Sequence, residues 1–287
     1  MATLAICGGL PLAAHSGCPA PGEWWQAQLA ISNSDLLAQA AQQQVVLLGE
    51  QHVVVDHHRW QLSTLAGLYA LRDDMIIGLE MLPRSTQPVL DSWITGSLSE
   101  QELLEQTQWQ EVWGFDPELY LPILHFARLH HIPLIALNIT PALRQRLVEE
   151  GFENVPAEQR YHIPAPVPPD DSYKARLAEV FARHDTMDQD DPERLNRFID
   201  AQLSWDVAMA HELANAAQNG TLAVGLMGMG HITYSEGVPH QLSGMNIERT
   251  FSLLPWEQQD CEVPDAYLAD AVFILSPLPE EGPTRSQ

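Results

Sequence analysis

Val45-Val46-Leu47-Leu48-Gly49-Glu50-Gln51-His52 sets four aliphatic residues directly against a glycine, an acid, an amide and an imidazole. An unalternating apolar run offers no polar face to water, so as a strand it has to be covered on both sides, which is the condition of a strand inside a parallel sheet. The same pattern recurs three times. Residues 75–79 (MIIGL) run into Glu80, residues 134–137 (LIAL) into Asn138, and residues 222–227 (LAVGLM) into Gly228-Met229-Gly230-His231. Helical patterns separate them. Residues 57–72 place Leu62, Leu65, Ala66 and Tyr69 on one face, and Thr140-Pro141 reads as an N-cap followed by the proline favoured at the first helical position. Strand–helix alternation predicts an α/β fold with a mostly parallel, doubly wound sheet. Residues 247–254 and 271–275 read as further strands.

Two stretches interrupt that plan. Residues from about 84 to 131 read as three helices, with Ser99 and Glu102 in a capping-box pattern. From about 151 to 220 no strand is legible, and a connector, His162-Ile163-Pro164-Ala165-Pro166-Val167-Pro168-Pro169, leads into helices near 172–184 and 192–218. The helical insertions are expected to form a smaller all-helical subdomain. The acidic link at 186–191 reads as a solvated loop.

The chain has 287 residues, 45% hydrophobic and 18% charged, so it can bury a sizeable core. With 38 acidic against 14 basic residues its formal charge is −24, a field that repels a phosphate backbone and excludes nucleic acid as a partner. Lys174 is the only lysine, which removes P-loop, Schiff-base and lysine-rich lipid-binding chemistry. Cys7, Cys18 and Cys261 are too few and too scattered for a disulfide framework or a zinc ribbon. Residues 1–18 (MATLAICGGLPLAAHSGC) read as the remnant of a lipoprotein signal with Cys18 as the lipid site, followed by a tether to residue 22. Residues 23–287 would then be the folded part. No run is apolar for about 18 residues, the length that spans a membrane.

In an open α/β sheet ligands bind beyond the carboxyl ends of the strands. Here those ends carry Glu50, His52, Glu80, Asn138 and His231, so parallel pairing would gather two carboxylates, two imidazoles and an amide along one edge. Glu50, His52, Glu80 and His231 match the ligand set of Zn²⁺, Mn²⁺ or Fe²⁺, and a carboxylate left unbound could act as base toward a metal-bound water. Each residue also has a structural alternative: Glu50 and Asn138 as helix caps, His231 as a satisfied buried histidine. Neighbours on a helix point about 100° apart, so the pairs His57-His58 and His130-His131 read as surface features rather than clamps.

Taken in order, Gly49-Glu50-Gln51-His52 with His58, Glu80-Met81 and Gln87, the segment WQEVWGFDPELY at 109–120, Asn138, Trp205-Asp206-Val207-Ala208-Met209-Ala210, and GMGHITYSEGVP at 228–239 resemble the iron-regulated, haem-binding lipoproteins of the ChaN type. That resemblance implies a bacterial cell-envelope protein, in the periplasm or on the outer membrane, with a parallel-sheet domain and a smaller helical one. It further implies a homodimer holding haem through tyrosine, a role in iron or haem acquisition, and an outer-membrane haem or iron receptor as partner. The G-x-x-H pairs at Gly49/His52 and Gly228/His231 are also similar to the wider superfamily of Tiki proteases, TraB proteins and erythromycin esterases. There the matching residues bind metal or hydrolyse, so the alternative reading is a metal-dependent hydrolase using Glu50, His52, Glu80 and His231. A haem site needs an axial ligand, apolar walls and cations for two propionates. Among the six tyrosines Tyr173 is favoured, because Lys174 and Arg176 adjoin it, and Tyr161 beside His162 stands second.

Overall fold

Eight strands in one sheet organise the computed structural model, which describes residues 17–184, 192–259 and 261–277. They are β1 (Trp24–Gln26), β2 (Leu29–Ile31), β3 (Val45–Glu50), β4 (Met75–Pro83), β5 (Leu134–Asn138), β6 (Leu222–Gly228), β7 (Thr250–Glu257) and β8 (Ala271–Leu275). Their spatial order is β2-β1-β8-β7-β3-β6-β4-β5. The strands from β8 to β5 pair in parallel, and β1 and β2 form an antiparallel hairpin on one margin. All six apolar runs read from sequence are strands of this parallel array, in an α/β, mostly parallel fold. The hairpin was not legible. Its strands are three residues each, joined by Ala27 and Gln28 in the left-handed conformation (φ 46° and 66°).

The alternation of side chains divides the core between two faces. Val46 and Leu48 of β3, Ile77 and Leu79 of β4, and Val224 and Leu226 of β6 share one cluster. Against them lie α1 (Asn33–Ala41), α2 (Val55–Leu71) and the four helices of the first insertion: α3 (Gln87–Ile94), α4 (Glu100–Gln106), α5 (Trp109–Val112) and α6 (Leu121–His130). The sequence suggested three helices here, and the fourth is the single turn α5, entered through left-handed Gln108. Val45 and Leu47, with Ala223 and Met227, point the other way and pack against α9 (Pro192–Ala216) and α10 (Val238–Gly244). Each such buried aliphatic side chain contributes about 1.5–3 kcal/mol. The expected helix starts hold: Ser99 and Glu102 close a capping box on α4, and Thr140 caps α7 (Pro141–Glu150) through Leu143 N–H. Helix α8 (Asp171–His184) meets the first half of α9 in a separate small cluster of Tyr173, Leu177, Ile199 and Leu203, the smaller helical part of the molecule.

Cys18 is bonded to Cys261, with their Cα atoms 4.9 Å apart. Among the described residues the cysteines supply this one bridge and no framework, and while the Cys18 sulfur is held in it, it cannot also carry a lipid thioether. Residues 1–16, where the signal was read, and the acidic link at 186–191 lie outside the described residues. Among the described residues no helix is long and apolar enough to cross a membrane.

Candidate functional site

Strand order places β6 between β3 and β4, so the chain advances outward on both sides of this triplet and its carboxyl ends open into one crevice. Parallel register puts Glu50 beside Gly228. Glu50 is buried at the last position of β3, and its Oε1 lies 2.6 Å from Nδ1 of His52 and accepts from the Tyr120 hydroxyl at 3.2 Å. Glu80 is buried within β4. Its Oε2 accepts Gly228 N–H at 2.6 Å, and its Oε1 lies 3.3 Å from Nε2 of His231. The other ring nitrogen of His231 meets Asp206 of α9 at 2.6 Å, and Asp206 Oδ2 accepts from the Tyr173 hydroxyl at 2.8 Å. A Cβ on Gly228 would sit 3.0 Å from His52 Cε1 and 3.7 Å from Glu80 Oε2. Gly228 is thus the point where the two carboxylate–imidazole groups touch, and a side chain there would wedge them apart.

Electrostatics fix the charges. Burial opposes the His231 imidazolium, but Glu80 and Asp206 outweigh it and hold its pKa well above the ordinary value. Burial likewise opposes the Glu80 carboxylate, and His231, His52 and the Gly228 N–H nonetheless keep it below the usual range. His52, more open to solvent, is also raised: burial is overcome by Glu50 and, at longer range, Glu80. Tyr120 and Tyr173 go the other way, their phenols pushed up by burial and by the adjacent carboxylates. The result is a buried array in which imidazole, phenol and amide donors meet the carboxylates, except at Glu50 Oε2, which is buried without a hydrogen-bond partner among the described residues and lies 4.0 Å from His58 Nε2.

The four strand-end residues therefore converge as the sequence implied, but they do not form the expected metal centre. Glu50 faces His52 and Glu80 faces His231 as hydrogen-bonded partners, and among the described residues no three His, Cys, Asp or Glu side chains are arranged to hold one ion. Asn138 spans instead to Glu80, donating to its backbone carbonyl at 3.1 Å. His57 and His58 are not surface features. Both are buried, His57 pairing with Glu257 at 2.6 Å and accepting Gln51 N–H, His58 reaching the His52 carbonyl. His130 and His131 are exposed, as read.

The tyrosines also sort by geometry. Tyr173 is buried with its hydroxyl spent on Asp206, so it cannot present an oxygen to a ligand, and Lys174 beside it is exposed. Arg176 pairs with Glu236 and lies 4.7 Å over the ring of Tyr234. Tyr161 is 40% exposed, and the guanidinium of Arg84, the first residue after β4, lies 5.6 Å from its ring centre. Arg84 is itself buried against α9, donating to Ala208 O and facing Glu212 and His211. Burial, together with the charges of Arg84 and His162, pushes His211 down to about 4, so it is neutral at pH 7. One turn earlier on α9, Trp205 carries Arg144 stacked 3.7 Å from its ring. Sequence reasoning missed Arg84, Asp206, Tyr120 and Tyr234. For Asp206 a signal existed: an aspartate inside the apolar stripe Leu203, Val207, Ala210 is a buried charge in search of a partner.

No curated protein matches the sequence. Among solved structures, ChaN of Campylobacter jejuni, described with cofacial haem binding, superposes with a TM-score of 0.69 at 18% identity, over 91% of this chain and 98% of that one. An erythromycin esterase variant in its open conformation gives 0.48 at 13% identity, over 86% and 81%. The type III effector HopBA1 gives 0.45 at 11% identity, over 84% and 92%. The first of these shares the fold. The profile of the family described as haem-binding uptake, Tiki superfamily, ChaN matches residues 36–242, a span from α1 to α10 that contains the crevice and both exposed tyrosine–arginine pairs, and the chain accordingly belongs to that haem-binding family.

Proposed function

We propose that this protein binds haem through Tyr161 and serves iron or haem acquisition in the bacterial cell envelope. The observation that carries the reading is the exposed Tyr161 ring beside the Arg84 guanidinium, in a chain whose family binds haem. Bound haem would supply a ferric centre able to take a phenol oxygen, and Tyr161 would offer one. No described residue takes the Tyr161 hydroxyl, and the Arg84 guanidinium lies 5.6 Å from its ring centre. Arg144, stacked on Trp205 beside α9, is the cation that would meet a propionate, and Trp205 supplies aromatic surface.

Location in an oxidising compartment, the periplasm or outer membrane face, is supported by the Cys18–Cys261 bridge, since such bonds persist outside the cytosol. Pairing of two copies and delivery to or from an outer-membrane receptor complete the proposal, on the family's likeness alone. Haemin titration followed by visible absorption tests it. The wild type should show a saturable spectrum of phenolate-ligated ferric haem at micromolar haemin, and Tyr161→Phe should lose the signal contributed by Tyr161. A wild type with no saturable change at that concentration ends the haem reading.

A further inference from the structure

Helix α2 carries a polar stripe that the crevice does not use. Asp56, Arg59, Trp60, Ser63, Thr64 and Gly67 recur at intervals of three or four residues, so they share one face of the helix. That face is one wall of a groove of about 320 Å³, near the lower limit for a small-molecule site. The opposite wall is Trp24 of β1 with Phe273 and Leu275 of β8. The two walls differ in chemistry. On the helix, Arg59 donates to Asp56 at 2.8 Å and Ser63 is exposed. On the sheet, half-buried Phe273 meets the Trp24 ring edge-on, with centroids 5.0 Å apart.

Two polar groups in the helical wall are unmet. Thr64 is 4% exposed, yet its hydroxyl has no hydrogen-bond partner among the described residues. A helical threonine ordinarily returns its hydroxyl to the carbonyl one turn back, as Thr107 does to Leu103 at 2.8 Å. Trp60 is also 4% exposed, and its indole N–H is buried without an acceptor. A polar group taken from water and left unpaired destabilises the fold, so these two mark hydrogen-bonding capacity that the protein itself does not fill.

A slot with one polar and one aromatic wall suits a molecule with the same two sides. A pyranose with equatorial hydroxyls is one: its axial C–H bonds form an apolar face, and its hydroxyls project from the rim. Charge points the same way. Asp56 and Arg59 cancel, so the groove's paired charges favour neither sign of ligand in a chain whose formal charge is −24. We propose that this groove binds a neutral pyranose sugar of β-gluco configuration. The C–H face lies on Phe273, the Thr64 hydroxyl bonds the rim, and the Asp56–Arg59 pair accepts from one hydroxyl and donates to its neighbour. The site is independent of the haem reading.

Titration of the full chain with methyl β-D-glucopyranoside, followed by saturation-transfer difference NMR, tests the assignment. The wild type should saturate with a midpoint of about 1 mM, and transfer should be strongest to the axial protons of one ring face. Thr64→Val keeps the shape and removes the hydroxyl, so binding should weaken about tenfold. Its urea midpoint should not fall, because no protein partner loses a bond. Phe273→Leu, shown to be folded by far-UV circular dichroism, should lose the axial-proton pattern. D-Glucitol has the hydroxyls without the ring and should not compete. Absence of saturation at a concentration about a hundredfold above the expected midpoint overturns the site. Binding that both variants leave unchanged places the sugar elsewhere and overturns it too. Equal competition by D-glucitol overturns the pyranose class, and a lowered urea midpoint in Thr64→Val overturns the role given to its hydroxyl.

Discussion

His231 lies between two buried carboxylates, 3.3 Å from Glu80 and 2.6 Å from Asp206. His231→Gln keeps a polar side chain and removes the cation, leaving two acids in the interior without their shared partner. A loss of about 3–5 kcal/mol in unfolding free energy near pH 7 is expected. The pH dependence gives the sign. In the wild type Glu80 is lowered, so its contribution is present above 4.5 and fades only as pH falls through its folded value. His231 is raised, so its contribution is full below 6.5 and fades as pH rises through its folded value. Unpaired in the variant, the carboxylates titrate above their unfolded values, and acid stabilises the folded state. Urea midpoints should therefore show the gap between variant and wild type closing from about pH 7 to about pH 5. A gap constant over that range would mean that the network is not electrostatic in origin. Gly228→Ala tests the contact between the two groups. With a methyl 3.0 Å from His52 Cε1, His52 should be driven off Glu50 and its titration should move down toward the ordinary imidazole value, as followed by proton NMR.

At the scale of elements, Tyr173 ties α8 to α9 through Asp206, and it is the first-turn residue of a helix whose remaining cluster is small. Tyr173→Phe deletes one donor to a buried carboxylate, a loss of roughly 1.5–3 kcal/mol for a charged hydrogen bond. Amide exchange should accelerate in α8 while β3 and β6 stay protected; equal acceleration in all three would argue that α8 is integral to the central core. The same contrast explains what the sequence made legible. Residues 45–48 and 222–227 are apolar on both faces, and that pattern has few solutions besides a covered parallel strand, so the carboxyl-edge placement of Glu50, Glu80 and His231 came with it. The hairpin of Trp24–Gln26 and Leu29–Ile31 escaped because three residues carry no period. Asp206, Tyr120 and Arg84 reach the crevice or its rim from helical segments, and His57 meets Glu257 across 200 residues of sequence. Such partners are set by how helices settle on the sheet, which spacing along the chain does not encode. The metal expectation failed for a related reason: residue type and edge were right, yet imidazole and carboxylate turned toward each other instead of toward a common point.

For the molecule as a whole, the Cys18–Cys261 bridge spans 243 residues. Closing so long a loop in the unfolded chain gives, on the chain-entropy model, stabilisation on the order of 5 kcal/mol. Cys18→Ser should lower the denaturation midpoint by a corresponding amount, and reductant should lower the wild type toward the variant while leaving the variant unmoved. A wild type indifferent to reductant would mean that the bond is absent in solution. The bridge also fastens the segment between β7 and β8, whose Leu268 carbonyl accepts the Tyr234 N–H at 2.9 Å. Its reach has one more result, which concerns survival after damage. Nearly the entire described chain lies inside a single covalent ring, so one peptide bond hydrolysed anywhere between the two cysteines opens the ring without parting it. A protease that nicks this protein once yields a species heavier by one water and otherwise whole, which separates into two fragments only when the sulfurs are reduced.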